Sequence, residues 1–296
     1  ITAAGDARIV TNGSITVGDI TAATGDVTLT AGGGSIILDL VSAEQGDAFL
    51  SALAGSILEQ GDGPTYDDPF DWYSIDIRAI NIVLSATGGV IGVSDYWNHN
   101  KLEIDSSATA FGAVTATASQ DISLAEVTGN LKVGSVTSVA GNVTLFSWGG
   151  SILDAFADAD ADVTGNSLTF KAASIGSFFN DLEIDSSFSA PGELDSEEGQ
   201  GIYVTETAGA LKVDYVTSGS VARLTTRDTS RDDEDILVNS LSALGPVLLQ
   251  SGDDIVVSGD IPLASRCLEK GARVIRPTGR PFTEGNIGDA LATRDL

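Results

Sequence analysis

At 296 residues, with 42 acidic against 15 basic side chains and a net charge of −27, the chain repels polyanions, so binding to nucleic acid or to an anionic membrane surface is excluded as a function class and divalent cations are the natural partner. Thirty-four glycines, one cysteine, one histidine and no methionine exclude a disulfide framework, and 42% hydrophobic residues exclude general disorder. No run approaches the roughly 18 to 20 apolar residues of a membrane span.

No secretory signal is visible, and because the sequence already reads as a repeat at Ile1, a signal peptide lost with an upstream region is compatible with it. In the first strand-like phrase, Gly25 to Leu29, Val27, Leu29 and Ala31 alternate with Thr28, Thr30 and Gly32. Period two predicts a strand with one buried face. Gly34-Ser35-Ile36 follows and returns as Gly55-Ser56-Ile57. Between them, helical spacing occurs only around Ala43 to Leu58, which is expected to be a short helix or an insertion.

Residues 61–73 lengthen the loop after Gly55-Ser56-Ile57 and gather Asp62, Asp67, Asp68 and Asp71 beside Trp72 and Tyr73. Insertions are where solenoids place binding surfaces. Carboxylates beside aromatic rings suit a sugar, with or without Ca²⁺; a plug over the core is the structural alternative. A second insertion, at 95–101, holds the lone histidine, His99, whose near-neutral pKa makes it a candidate general base.

Leu102-Glu103-Ile104-Asp105-Ser106-Ser107 then opens a block that recurs 80 residues later as Leu182-Glu183-Ile184-Asp185-Ser186-Ser187. The same shift carries Gly129 to Val133 onto Gly209 to Val213. Gly25 to Leu29 likewise returns as Gly141 to Leu145, and Gly34-Ser35-Ile36 as Gly150-Ser151-Ile152. Self-similarity of this kind predicts stacked units. With about 20 residues per coil, the 80-residue block holds four coils and residues 1–263 make roughly 13, a rod on the order of 60 Å. An antiparallel β-sandwich array with the same repeat is the rival.

Asp154, Asp158, Asp160 and Asp162 alternate with alanines. If extended, Asp158, Asp160 and Asp162 share a face, where their mutual repulsion calls for water or a cation, and Ca²⁺ accepts six to eight oxygens in tolerant geometry. The metal candidates are therefore Asp158, Asp160 and Asp162, with Asp67, Asp68 and Asp71 as a second group. Ala172 to Gly176 only loosely imitates a nucleophile elbow, and no catalytic residues are assigned.

From Ala264 the character changes. Arg266, Lys270, Arg273, Arg276, Arg280 and Arg294 face Glu269, Glu284, Asp289 and Asp295, and Cys267, Pro277 and Pro281 break the repeat grammar. Residues 264–296 form a basic, non-repeat tail that is a cap, a linker or sequence from a truncated gene, whereas 1–263 form the repeat domain.

Gly25 to Leu29, Gly150 to Asp154, Asp158 to Val163 and Leu182 to Ser187 make residues 10–260 resemble the repeat regions of giant filamentous-haemagglutinin-like bacterial surface and secreted proteins. The resemblance implies an all-β, right-handed parallel β-helix, part of a larger secreted or cell-surface polypeptide, and it carries no shared catalytic residues. The expected function is a structural or adhesive solenoid segment, Ca²⁺-stabilised, facing a carbohydrate or cell-surface ligand. A β-helix hydrolase or lyase acting on a glycan, ester or lactone, with Ca²⁺ as its cofactor, is the alternative.

Overall fold

The structure, a computed structural model, describes residues 1–60, 75–93, 101–106, 112–229, 233–252, 255–256, 274–275, 281–283 and 285–287. Its strands stack into a β-solenoid of about 10 turns with about 21 residues per turn. Chain order alternates between a 13-stranded and a 12-stranded sheet, and every strand pair within these two sheets is parallel. Parallel ladders rule out the antiparallel sandwich, because consecutive strands of a hairpin array would run in opposite directions. At about 4.8 Å per turn the stack is about 50 Å long.

Each turn is held by residues that stack on their own kind. In the 13-stranded sheet, Ile15 pairs with Ile36, Ile36 with Ile57, Ile57 with Ile91 and Ile91 with Ile122, and each of them is 4% exposed or less. Leu131, Ile152, Ile175 and Ile202 form the matching column in the 12-stranded sheet, all without solvent exposure. Burying an isoleucine side chain stabilises the fold by about 1.5–3 kcal/mol, but a turn buries it only against its neighbours.

The Gly-Asp and Gly-Ser turns stack as well. Asp6 Oδ1 accepts from the Asp26 backbone N–H (3.1 Å), Asp26 from that of Asp47 (2.9 Å), Asp47 from that of Asn81 (3.0 Å) and Asn81 from that of Ala113 (3.0 Å). On another edge Ser14, Ser35 and Ser56 each accept at Oγ from the backbone N–H one turn on. A short polar side chain at the turn, after glycine in all of these but Asn81, therefore satisfies the backbone donor that the next turn exposes.

The stretch expected to be a short helix or an insertion is instead regular coil. Ala48–Ala52 is a strand with Ala48, Leu50 and Ala52 buried, and Ile57–Glu59 is the next. Strand pairing to the turns on either side outweighs the helical preference of alanine and leucine.

The 80-residue repeat also has a different geometry from the four coils expected. Leu102–Asp105 lies in the 13-stranded sheet and Leu182–Asp185 in the 12-stranded one, and Leu131–Ser138 and Leu211–Ser218 are exchanged in the opposite sense. Seven half-turns separate the copies, three and a half coils in all. The two copies therefore occupy like environments on opposite sheets: Leu102 and Leu182 are both fully buried, and Ser106 and Ser186 both donate to a buried glutamate, Glu126 and Glu206.

Candidate functional site

The inserts interrupt strands in pairs, and each break carries carboxylates at both stumps. Beside the intact strand Ile36–Ala43, the next turn leaves the 13-stranded sheet after Glu59 and re-enters at Ile77, immediately after Asp76. Beside Leu131–Ser138, the next turn leaves the 12-stranded sheet after Asp154 and re-enters at Val163, immediately after Asp162. Glutamates from the following turn, Glu103 and Glu183, close the two groups. In each triad the carboxylate oxygens lie within 4.8 Å of one another. Among the described residues these are the two places where three such groups converge.

The two triads are built alike. The Glu103 backbone N–H donates to Asp76 Oδ2 (2.8 Å), and that of Glu183 to Asp162 Oδ2 (3.0 Å). Reciprocally, the Asp76 N–H reaches the Glu103 carbonyl at 2.9 Å and the Asp162 N–H that of Glu183 at 2.8 Å. Each aspartate thus caps a strand where its neighbour has been cut, a structural role sufficient to explain one oxygen apiece. It does not explain the other carboxylates. Glu183 is 9% exposed, and its Oε2 is buried without a hydrogen-bond partner.

Burial is the main reason that these groups hold their protons. Desolvation and then the Asp154 carboxylate push Asp162 up to about 8, and desolvation with Asp154 and Asp181 pushes Glu183 up to about 7, against a smaller opposing pull from Arg227. Asp76 and Glu103 are raised too, Asp76 by burial and by Glu103, Glu103 by burial and by Glu59. Oxygens that share a Ca²⁺ at 2.3–2.6 Å lie within about 5 Å of each other, so each triad has the spacing of half a calcium shell.

The sequence-derived candidates divide. Residues 155–162 are not extended: they run through bends, with Ala157 at φ 52°. Asp158 and Asp160 are consequently exposed, Asp158 Oδ1 accepting from the Asp160 backbone N–H at 2.8 Å, whereas Asp162 is 4% exposed. The shared face anticipated for Asp158, Asp160 and Asp162 requires an extended chain and does not form. Asp162 meets Asp154 and Glu183 instead. Asp67, Asp68, Asp71 and His99 lie outside the described residues. Glu59, Asp76, Glu103 and Glu183 escaped the sequence reading, although the glutamate inside the repeated Leu-Glu-Ile-Asp phrase was a visible signal: a charge at a strand position flanked by buried apolar residues.

Comparison with known proteins bears on the other end of the chain. Residues 247–296 match a family model described as uncharacterised BCR, YaiI/YqxD family, DUF188. Over 49 residues the chain is 63% identical to UPF0178 protein amb2838 of Paramagnetospirillum magneticum, which is 17% of this chain and 32% of that relative. Over 43 residues it is 67% identical to UPF0178 protein RC1_2062 of Rhodospirillum centenum, 14% of this chain and 28% of that one. The chain thus spans about a third or less of these relatives. No solved structure matches. The matched segment begins at Val247, first residue of the strand Val247–Gln250, and takes in the whole compositional tail from Ala264.

Proposed function

We propose that residues 1–263 are a non-catalytic solenoid segment of a larger secreted or surface bacterial polypeptide, a rod that displays inserted loops for adhesion and is stabilised by Ca²⁺ at their stems. The observation that carries this reading is the recurrence of one carboxylate triad, with the same capping hydrogen bond, at equivalent strand breaks on opposite sheets. A cation there replaces the protons that burial otherwise holds on these carboxyls, and it ties the two stumps of a broken strand to the next turn. The resemblance to haemagglutinin-like repeats supports the surface location and a carbohydrate or cell-surface partner. The segment similar to UPF0178 proteins overlaps the last two solenoid strands, Val247–Gln250 and Ile255–Val256, and in this reading the tail from Ala264 is of different origin.

Calorimetry of the chain in CaCl₂ and in EDTA tests the metal. A site occupied at a hundredfold excess over its Kd adds about 2.7 kcal/mol. The melting temperature is expected to rise by several degrees with Ca²⁺, and the rise to shrink in Asp162→Asn and Glu183→Gln but not in Asp158→Asn. An identical gain in all three variants, or none in the parent chain, contradicts the proposal.

The clustering of raised carboxyls favours the hydrolase or lyase as a second reading, because such groups serve as general acids. Turnover of a glycan, ester or lactone that is lost in Glu183→Gln would establish it.

A further inference from the structure

The second insert of the 12-stranded sheet, residues 176–181, stands over a cleft of about 590 Å³ formed with the two turns that follow. That volume lies in the range of small-ligand sites. Phe178 and Tyr203 form one wall, their ring centroids 6.4 Å apart and nearly perpendicular. Phe178 is 63% exposed, with the Phe179 ring packed edge-on against it at 5.0 Å. Ser174, Ser177, Gln200 and Ser220 belong to the lining; the Ser174 hydroxyl donates to Ser151 Oγ at 2.7 Å and that of Ser177 is tied to the Asn180 backbone, so Gln200 and Ser220 are the polar groups offered to a ligand.

Two features keep this cleft formed and open. The Arg223 guanidinium lies 5.5 Å from the Phe178 ring and 4.9 Å from that of Tyr203, donates to the Phe178 carbonyl at 3.1 Å and is paired with Asp181. It therefore holds both rings in place. At the floor, Gly199 and Gly219 stack so closely that a Cβ on Gly219 would meet the Gly199 carbonyl oxygen at 1.9 Å. A side chain there would force the turns apart.

The chemistry narrows the ligand. A cation is disfavoured because Arg223 already stands against both rings, and an anion because Asp181 neutralises that arginine in a chain of net charge −27. What remains is a neutral molecule with one apolar face and a rim of hydroxyls. We infer that the Phe178–Tyr203 cleft binds a sugar ring of a neutral glycan, the ring stacked on the aromatic wall and its hydroxyls shared between Gln200 and Ser220. The inference deepens the adhesive reading and rests on it, but not on the metal triads.

The test is titration calorimetry and saturation-transfer NMR of the whole chain, in CaCl₂, with cellotetraose, maltotetraose and chitotetraose, and with tetragalacturonate as the anionic comparator. At least one neutral tetrasaccharide is expected to bind. Tyr203→Ala and Phe178→Ala should weaken it about tenfold, roughly 1.4 kcal/mol, and Phe49→Ala, an exposed ring on an earlier turn of the same sheet, should leave it unchanged. Gln200→Ala, which spares the aromatic pair, provides a second measure should either ring variant fail to fold. The inference is overturned if no neutral sugar binds, if tetragalacturonate or an unrelated apolar peptide binds better, or if the ring and Gln200 variants bind as the parent does. Melting curves recorded on the same samples separate the two claims: a retained Ca²⁺ shift without sugar binding removes the cleft alone.

Discussion

At the scale of single residues, the two copies of the repeat can be checked atom by atom. Gly92 and Gly176 adopt φ of 61° and 60°, each at the point where the chain departs into an insert. A Cβ on Gly92 would lie 2.2 Å from the Ser123 carbonyl oxygen and 2.8 Å from the Leu102 nitrogen; on Gly176 the partners are Tyr203 and Leu182 at the same two distances. Left-handed backbone costs a non-glycine residue roughly 1–2 kcal/mol, and crowding a packed site adds about 1–3 kcal/mol. Gly92→Ala and Gly176→Ala should each lower stability by about 2–5 kcal/mol in urea titrations. Gly18→Ala, where nothing lies within 4 Å of the new atom, is expected to stay within about 0.5 kcal/mol. Glycine alone did not reveal these positions in the sequence, since 34 glycines occur and, among the described residues, Gly129 and Gly209 are left-handed as well.

At the scale of strands and turns, columns of like residues carry the stability. Ile91→Ala removes a fully buried side chain between Ile57 and Ile122 and should cost about 2–5 kcal/mol, whereas Asp47→Ala, which strips a half-buried backbone donor at Asn81 of its acceptor, should cost about 1 kcal/mol. Denaturant titration separates the two. Much of this level was legible beforehand: Val27, Leu29 and Ala31 alternate as read and are buried as expected, and the Gly-Asp and Gly-Ser phrases mark stacking turns. Two features were hidden. The repeat counts residues and not faces, so an offset of three and a half coils reads like one of four. The triads join residues such as Glu59 and Glu103, 44 positions apart, across a strand break that no local pattern announces. By contrast the alternating Asp-Ala string, conspicuous in sequence, folds into bends that turn Asp158 and Asp160 to solvent.

At the scale of the whole molecule, the buried carboxyls set the pH response. Asp162 and Glu183 rise from 3.8 and 4.5 to about 8 and about 7, and Glu206, buried beside Ser186, rises to about 8. A carboxyl raised in the folded state costs no stability below its unfolded value; the cost grows as pH climbs from there to the folded value, then stays constant. In EDTA the melting temperature should therefore fall from about pH 4 to about pH 8 and level off above that. Ca²⁺ should lessen the fall for the triads, because the ion replaces their protons, but not for Glu206, and its own binding should weaken toward pH 5. A flat profile in EDTA would show that these groups titrate alike in both states.

Direct location of the ion is the decisive measurement. Crystals soaked in a lanthanide that substitutes for Ca²⁺ should give two anomalous peaks, one among Glu59, Asp76 and Glu103 and one among Asp154, Asp162 and Glu183. Peaks confined to Asp158 and Asp160, or none at either strand break, would contradict the account.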